Sequence, residues 1–405
     1  MSLDSRTPGW QIRSIRLGRA PNCSSLGNVV NTLVWSQAAV AALWVAAEAW
    51  RARRSRDEPD GGRTLRIDNP PALVRTGEAN GSPHEAHVQV TSTCALPCAN
   101  CHVEATVAGA HVPIATVAER FERLASDGVF HVAIGGGEAL GHPDLTEIAS
   151  AAHRVGLTIG LTTSGVGDVS RARSFDQVNV SLDGLGQHFR DSRGYNGAQA
   201  ALAAIRQLAE QGSRVGVNIL LTRSNFDSLD ATIDAAIAAG ARDIHLLRLK
   251  PTGRASAHYL ESRLTEGQSL ALWPRLVAWI HSQPRITFRV DCAMTPFIAA
   301  HRPDRKRMQA FGWLGCHGGD ALVAVNVDGT RSPCSFSHDE LTAEVAERWR
   351  GGVTAEPCAS CDYRQTCRGG CHAVALSLTG DGTAPDPECP IVAAHTASHA
   401  STVAP

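Results

Sequence analysis

The sequence predicts an α/β fold: a partial (β/α)6 barrel of the TIM type, with a helical extension before it and a cysteine-rich domain after it. Six strand-like apolar runs alternate with helical patterns between residues 87 and 249 of the 405-residue chain. This alternation requires parallel strands covered by helices. Three cysteines follow the first strand closely, and seven of the twelve cysteines lie between residues 316 and 389. Barrels of this type carry their functional groups at the carboxyl ends of the strands, so we expect the site there.

The composition narrows the classes of function. The formal net charge of −1 provides no field that would attract a polyanion, so we expect no nucleic-acid partner. Twelve cysteines in a chain of this length, without a recognisable cleavable secretory signal, indicate metal ligation in a reducing compartment instead of a disulfide framework. We therefore predict a cytoplasmic location.

Residues 1–83 predict an N-terminal extension. An apolar run from Val29 to Trp50 carries five polar interruptions and is followed by several arginines. A helix docked on the protein and a helix lying at a membrane surface both fit this pattern, so membrane association through residues 29–50 stays open. Residues 57–82 are rich in proline, glycine and polar side chains and predict a linker. We expect the barrel at 84–290, the cysteine-rich domain at 291–397 and a tail at 398–405.

The barrel elements follow from the apolar pattern. The predicted strands are His87–Thr91, Val129–Ile134, Leu157–Thr162, Gln177–Leu182, Val215–Leu221 and Asp243–Leu249. The predicted helices between them include Ile114–Ala125, Leu145–Val155, Ala198–Gln211 and Leu229–Ala239. Each helix would return the chain to the start of the next parallel strand.

The loop after the first strand carries Cys94, Cys98 and Cys101 at C-x3-C-x2-C spacing. Three thiolates this close in sequence can bind three irons of a 4Fe-4S cluster and leave the fourth iron without a protein ligand. A tetrahedral zinc site would need a fourth ligand nearby, and His102 is too close to Cys101 to complete it comfortably. The spacing therefore favours a cluster with one open iron.

Polar residues follow the next three strands. Gly136, Gly137 and Glu138 follow the second strand, where glycines permit close backbone approach and a carboxylate can accept a hydrogen bond from an ammonium group. Ser164 follows the third strand. Ser181 and Asp183 end the fourth strand, and Asp183 precedes a glycine, so it is either a turn former or a general base.

Three cations accompany these strand ends. Arg193 lies just before Gly194 in the charged segment after the fourth strand, where a solvated helix start is the simple interpretation. Arg248 and Lys250 alternate on the sixth strand and so share one face. Two cations side by side on a barrel strand require anionic partners or water. A ligand carboxylate and a structural aspartate or glutamate both meet this requirement.

The C-terminal cysteines have a specific spacing. Their positions are Cys316, Cys334, Cys358, Cys361, Cys367, Cys371 and Cys389, with the run C-x2-C-x5-C-x3-C in the middle. A pair of zinc knuckles is the competing interpretation, but it leaves the cysteine loop of the barrel unexplained.

Together these motifs resemble the radical S-adenosylmethionine (SAM) enzymes, and the seven C-terminal cysteines resemble the SPASM domain that follows the barrel in many of them. The resemblance implies that Cys94, Cys98 and Cys101 hold the SAM-binding cluster. It further implies that the glycine–glutamate motif meets the SAM amino group. Alanine replaces the usual proline after that motif. The other residues expected to bind SAM by this resemblance are Ser164, Ser181, Arg193 and Arg248, with Asp183 as a candidate base.

The resemblance also assigns the C-terminal cysteines to two auxiliary 4Fe-4S clusters. It implies that Cys316, Cys334 and Cys371 hold the first. It assigns the second to four cysteines, Cys358, Cys361, Cys367 and Cys389. The first cluster then lacks a fourth ligand, for which Cys292 is the candidate, with a buried structural cysteine as the alternative. Three clusters in all are expected.

The function implied is reductive cleavage of SAM, followed by hydrogen abstraction from a ribosomally made precursor peptide or a protein to form a C-C, C-S or C-O cross-link. A flavodoxin- or ferredoxin-type protein would donate the electron. Sulfatase-type formylglycine formation and small-molecule dehydrogenation are the enzymatic alternatives. A zinc- or cluster-binding protein without activity is the non-enzymatic one.

Overall fold

The computed structural model describes residues 83–310 and 312–402. A single sheet of nine strands forms its centre, in the order β7-β6-β5-β4-β3-β2-β1-β8-β9. The strands are β1 Glu85–Thr91, β2 His131–Gly136, β3 Thr158–Thr163, β4 Gln177–Ser181, β5 Val215–Leu221, β6 Asp243–Arg248, β7 Thr287–Val290, β8 Leu322–Val325 and β9 Arg331–Ser332. All neighbours pair in parallel except β8 and β9. This arrangement confirms the predicted α/β class and partial barrel.

Helices connect the strands and continue into the C-terminal segment. Those of the barrel half are α1 Ile114–Ser126, α2 Leu145–Arg154, α3 Gly186–Arg193, α4 Ala198–Glu210, α5 Leu229–Ala238, α6 Tyr259–Ser262 and α7 Glu266–Ser282. Those that follow are α8 Thr295–Ala299, α9 Arg305–Ala310, α10 Ala343–Gly351, α11 Arg364–Cys367, α12 His372–Thr379 and α13 Pro390–Thr402. Among residues 83–310 and 312–402, no helix is long and apolar enough to cross a membrane. The run from Val29 to Trp50 lies outside the described residues.

The barrel strands separate an apolar outer face from a polar inner face. In β1 the residues Ala86, Val88 and Val90 are fully buried, whereas the alternate residues at 85, 87 and 89 are partly exposed. The buried set packs with the apolar stripe of α1, which includes Phe121. Because side chains alternate along a strand, the partly exposed set faces the inside of the open barrel. The core therefore lies between the sheet and its helices.

Two strands extend the predicted barrel. β7 pairs with β6 at one edge, and β8, from the cysteine-rich segment, pairs in parallel with β1 at the other. The sheet thus continues across the boundary predicted at residue 290. Each of these strands has only four residues, which is too short for an alternation pattern to distinguish them from loops.

A buried ionic network joins β6 to the C-terminal segment. The Arg248 guanidinium donates from Nη1 and Nη2 to the two oxygens of Asp386, at 2.6 and 3.0 Å, and from Nη2 to Glu388 at 2.9 Å. Asp386 is fully buried, and the Arg248 side chain is 3% exposed. The partners of this strand cation are therefore structural carboxylates. With both terminal nitrogens occupied, this arrangement does not favour the predicted role of Arg248 in binding SAM.

We expect Arg248→Met to destabilise the protein by about 3–5 kcal/mol, because it leaves Asp386 buried without its cation, whereas Glu388 keeps Arg263. Arg331→Met is the matched control, since the Arg331–Asp127 pair is 39% exposed on both sides and contributes about 1 kcal/mol or less. Anaerobic urea titration of the reconstituted proteins measures both. Equal destabilisation by the two substitutions would contradict the inference that Arg248 joins the two halves.

Candidate active site

The cysteine loop lies at the carboxyl edge of the sheet, between β1 and α1. Cys94, Cys98 and Cys101 have free, partly exposed thiols. The loop starts just after the last pair of β1 and β2, Thr91 with Gly136. There the Gly137 amide donates to the carbonyl of Thr91 at 2.7 Å, and the Glu138 amide donates to that of Thr93 at 2.9 Å. Backbone hydrogen bonds to the second strand therefore fix the start of the loop.

The glycines of the second strand end are required by this close approach. A Cβ atom on Gly136 would lie 2.2 Å from the Thr91 carbonyl oxygen, and one on Gly137 would lie 2.2 Å from that of Thr93. Gly136 also has a φ of +116°, which L-residues with side chains rarely adopt. Both glycines thus contribute to the site by letting the cysteine loop pack against β2.

Glu138 is anchored to the end of β3. One carboxylate oxygen accepts from the Thr163 hydroxyl at 2.6 Å, and the other accepts from the Ser164 amide at 2.8 Å and from the Ser164 hydroxyl. The structure therefore brings together two residues, Glu138 and Ser164, that were predicted at separate strand ends. The negative charge of Glu138 also acts on the Cys94 thiol, so the carboxylate lies beside the cysteine loop.

Asp183 and Arg193 form a buried ion pair behind the loop. Arg193 Nε donates to Asp183 at 2.5 Å, and the Ser192 hydroxyl and the Leu220 amide complete the partners of the carboxylate, at 3.1 and 2.8 Å. Burial acts to lower the pKa of Arg193, but the Asp183 carboxylate holds that pKa above its ordinary value. Arg193 also hydrogen-bonds the Cys98 thiol.

This ion pair bears on the predicted roles of its members. Asp183 is 1% exposed and accepts from three donors, which suits an anchor for Arg193 better than a base. Arg193 lies against the cysteine loop, next to the thiol of Cys98. Ser181 is buried at the end of β4, with its backbone paired to Asn218. The roles of these residues toward SAM stay predictions.

Sequence reasoning missed the residues that hold the far side of the cysteine loop. Arg254 donates to the carbonyls of Cys98 at 2.8 Å and Ala105 at 3.0 Å. Asn100 donates to the carbonyl of Ser192 at 3.1 Å, and its amide oxygen pairs with His258 at 2.9 Å. The sequence signal that could have identified Arg254 is the Pro-Thr-Gly-Arg motif after β6, because its arginine is the residue that contacts the loop.

The C-terminal cysteines assemble into two groups of four thiols. In the first, Cys292 hydrogen-bonds Cys316, and the charges of Cys292 and Cys371 both act on Cys334. The second group consists of Cys358, Cys361, Cys367 and Cys389, which line one pocket. Segments up to 79 residues apart in sequence (Cys292 to Cys371) thus meet at one site.

Comparison with known proteins decides the family. Residues 88–236 match the family model of the radical SAM superfamily. A PqqA peptide cyclase of Ruegeria pomeroyi is 30% identical over 329 residues, which cover 74% of this chain and 85% of that protein. The chain belongs to the radical SAM superfamily. The chain is also similar to an AdoMet-dependent heme synthase of Methanosarcina barkeri, 26% identical over 337 residues, which cover 74% of this chain and 94% of that protein.

Solved structures share the fold of this radical SAM chain. SuiB of Streptococcus suis, bound to its precursor peptide SuiA, aligns with a TM-score of 0.63 at 14% identity, covering 87% of this chain and 89% of that one. The enzyme anSMEcpe with bound AdoMet and a Cp18Cys peptide aligns with a TM-score of 0.57 at 14% identity, covering 79% and 100%. At these identities the likeness concerns the fold, and it agrees with the partial barrel.

The radical SAM superfamily implies a 4Fe-4S cluster and SAM, and the residues of the barrel site fit both. Three free thiols meet there, and no three Cys, His, Asp or Glu side chains among the described residues converge tightly enough for a single metal ion. A cubane instead spreads its thiolates over separate irons. Glu138 and Arg193 beside the loop carry the charges opposite to an ammonium and a carboxylate.

The C-terminal thiols also require compensating positive charge. Burial is the largest cause that raises the pKa of Cys334 and of Cys358 to about 12, and that of Cys371 to about 11. Thiols with such pKa values stay neutral near pH 7 unless cations replace their protons. Iron ions supply that charge, so both groups suit metal clusters.

We expect Gly137→Ala to displace the cysteine loop, since its Cβ would meet the Thr93 carbonyl. Misplacing reacting groups by ~1 Å costs about 100-fold in rate, so SAM cleavage should fall by about that factor. Gly135→Ala is the control in the same motif, because its Cβ meets no atom within 4 Å. Iron content and 5'-deoxyadenosine formation measure the effect. A Gly137→Ala protein as active as Gly135→Ala would refute this role of the motif.

Proposed function

We propose that the protein is a three-cluster radical SAM enzyme with a SPASM domain that cross-links a ribosomally made precursor peptide. The observation that carries the proposal is the assembly of two four-thiol groups in addition to the cysteine loop of the barrel. Support for a peptide substrate comes from the relatives named PqqA peptide cyclase and from the fold shared with SuiB bound to SuiA.

Cys94, Cys98 and Cys101 would hold the catalytic cluster, which with SAM and one electron supplies a 5'-deoxyadenosyl radical. Glu138 would accept hydrogen bonds from the SAM ammonium group, since its carboxylate is fixed next to the loop by Thr163 and Ser164. Arg193, held by Asp183, would orient the SAM carboxylate or the Cys98 thiolate. These residues would determine the position of SAM.

The peptide loses two hydrogens in this reaction. One leaves as a hydrogen atom to the 5'-deoxyadenosyl radical, and the other leaves as a proton and an electron when the new bond closes. The auxiliary clusters held by the two C-terminal thiol groups would accept that electron. A flavodoxin- or ferredoxin-type protein would donate the electron for SAM cleavage. The bond formed is C-C, C-S or C-O.

A second candidate is oxidation of a small molecule. The similarity to the heme synthase of Methanosarcina barkeri, which covers 94% of that protein, favours this alternative. Formylglycine formation is a third, since the fold is shared with anSMEcpe crystallised with a Cys-containing peptide. The three candidates require the same cleavage of SAM. They differ in the substrate from which the 5'-deoxyadenosyl radical abstracts a hydrogen atom.

The test is anaerobic incubation of the reconstituted protein with SAM, a reductant and a synthetic precursor peptide, chosen from any short reading frames that neighbour its gene. We expect 5'-deoxyadenosine and a peptide lighter by the mass of two hydrogens, with a cross-link located by fragmentation. The Cys94→Ala, Cys98→Ala, Cys101→Ala triple variant should form neither product. Formation of 5'-deoxyadenosine without any change in the peptide would exclude the peptide as substrate. Retained cleavage in the triple variant would exclude the catalytic cluster.

We expect Cys292→Ala to reduce the iron bound by the first auxiliary site and to change the spectrum of that cluster, because Cys292 completes a group of four thiols. Cys23→Ala serves as the control, since that cysteine belongs to neither cysteine motif. Iron analysis and electron paramagnetic resonance (EPR) measure the change. Unchanged iron and an unchanged spectrum would show that Cys292 is not a ligand.

A further inference from the structure

A buried lysine lies against the first auxiliary thiol group. Lys250 is 5% exposed, and its ammonium pairs with Asp291, the residue directly before Cys292. The same ammonium lies 4.1 Å from the centre of the Phe336 ring, two residues after Cys334. Lys250 is therefore fixed between the two segments that carry Cys292 and Cys334.

The charge of Lys250 acts on the thiols of this group. Burial alone would lower the pKa of Lys250, whereas Asp291 and the thiolates of Cys371 and Cys292 raise it. The ammonium is also close enough to Cys334 and Cys371 for its charge to act on both residues. A charged ammonium thus belongs to the surroundings of these thiols, and the aspartate that holds it lies on the Cys292 side.

The position also lies between two cysteine loops. The Phe336 ring packs on the His102 ring with 4.8 Å between centroids, and His102 follows Cys101 of the barrel loop. Lys250, Phe336 and His102 therefore form one stack from the first auxiliary group to the barrel site. An ammonium in such a buried place interacts with nearby charges far more strongly than it would in water.

We propose that Lys250, held by Asp291, raises the reduction potential of the cluster bound by Cys292, Cys316, Cys334 and Cys371. The proposal rests on the proposed function, which places a cluster there. Uptake of one electron makes the cluster more negative by one charge, and a nearby fixed cation stabilises that reduced form. Lys250 is thus a positioning residue that favours electron uptake from the peptide radical.

The electron balance is simple. The carbon radical of the peptide gives one electron to this cluster and one proton to solvent as the new bond closes. The reduced cluster then gives the electron to an oxidised carrier protein of the flavodoxin or ferredoxin type. A higher reduction potential favours the first transfer. The cation therefore acts on the second half of the reaction and not on SAM cleavage.

The test is an EPR-monitored redox titration of the full-length reconstituted protein. The background is the triple variant Cys94→Ala, Cys98→Ala, Cys101→Ala, which removes the signal of the catalytic cluster. Cys292→Ala in this background identifies the signal of the first auxiliary cluster. Lys250→Met removes the charge at similar length, Lys250→Arg keeps it, and Asp291→Asn removes the opposite charge while retaining an oxygen for the Ala293 amide.

We expect Lys250→Met to shift this potential to a more negative value and Asp291→Asn to shift it to a more positive one. Lys250→Arg and the Lys250→Met, Asp291→Asn double variant should lie near the parent. A merely structural role would instead lower the iron content in both single variants. Unchanged potentials, or shifts of the same sign in the two single variants, would overturn the proposal.

The proposed function and this inference fail in different ways. Loss of the first auxiliary cluster from the parent protein would overturn both, because no cluster would then occupy the four thiols. A parent protein with the cluster, whose potential does not respond to Lys250→Met, would overturn only the role of the lysine. If Lys250→Met alone loses iron, Asp291→Asn still decides the sign of the electrostatic effect.

Discussion

The catalytic edge of the protein depends on the approach of two backbones beyond the end of their parallel pairing. The Gly137 and Glu138 amides donate to the carbonyls of Thr91 and Thr93 after β1 has ended. This contact holds the beginning of the cysteine loop, and it directs the Glu138 side chain toward Thr163 and Ser164 on the next strand. One pair of hydrogen bonds thereby couples the position of the thiols to that of the carboxylate.

The sixth strand and the loop after it connect the remaining parts of the molecule. Arg248 pairs with Asp386 and Glu388 of the C-terminal segment, and Lys250 lies against the first auxiliary thiol group. Four residues later, Arg254 binds carbonyls of the barrel cysteine loop. The relative positions of the proposed clusters are therefore set by a stretch of seven residues (248 to 254).

The sequence allowed the fold and the thiols to be predicted, but not their partners. The strand and helix rhythm predicted the barrel because apolar periodicity is a local property, and cysteine spacing marked the thiols that the fold brings together. The partners of Arg248 lie 138 and 140 residues away, and those of Arg254 lie 156 and 149 residues away. Such pairs depend on tertiary packing, so a single sequence shows that Arg248 needs a carboxylate without showing which one.

Asp386 gives the chain an unusual dependence on its last segment. Its carboxylate binds Arg248 of the barrel and the amide of Cys371, and Cys389 follows three residues later. The same residue therefore adjoins a thiol from each auxiliary group while it neutralises a cation in the barrel wall. Shortening the protein before this aspartate would not yield a minimal barrel enzyme. It would yield a barrel with an uncompensated buried arginine, and so the smallest folded unit that neutralises Arg248 extends at least to Asp386.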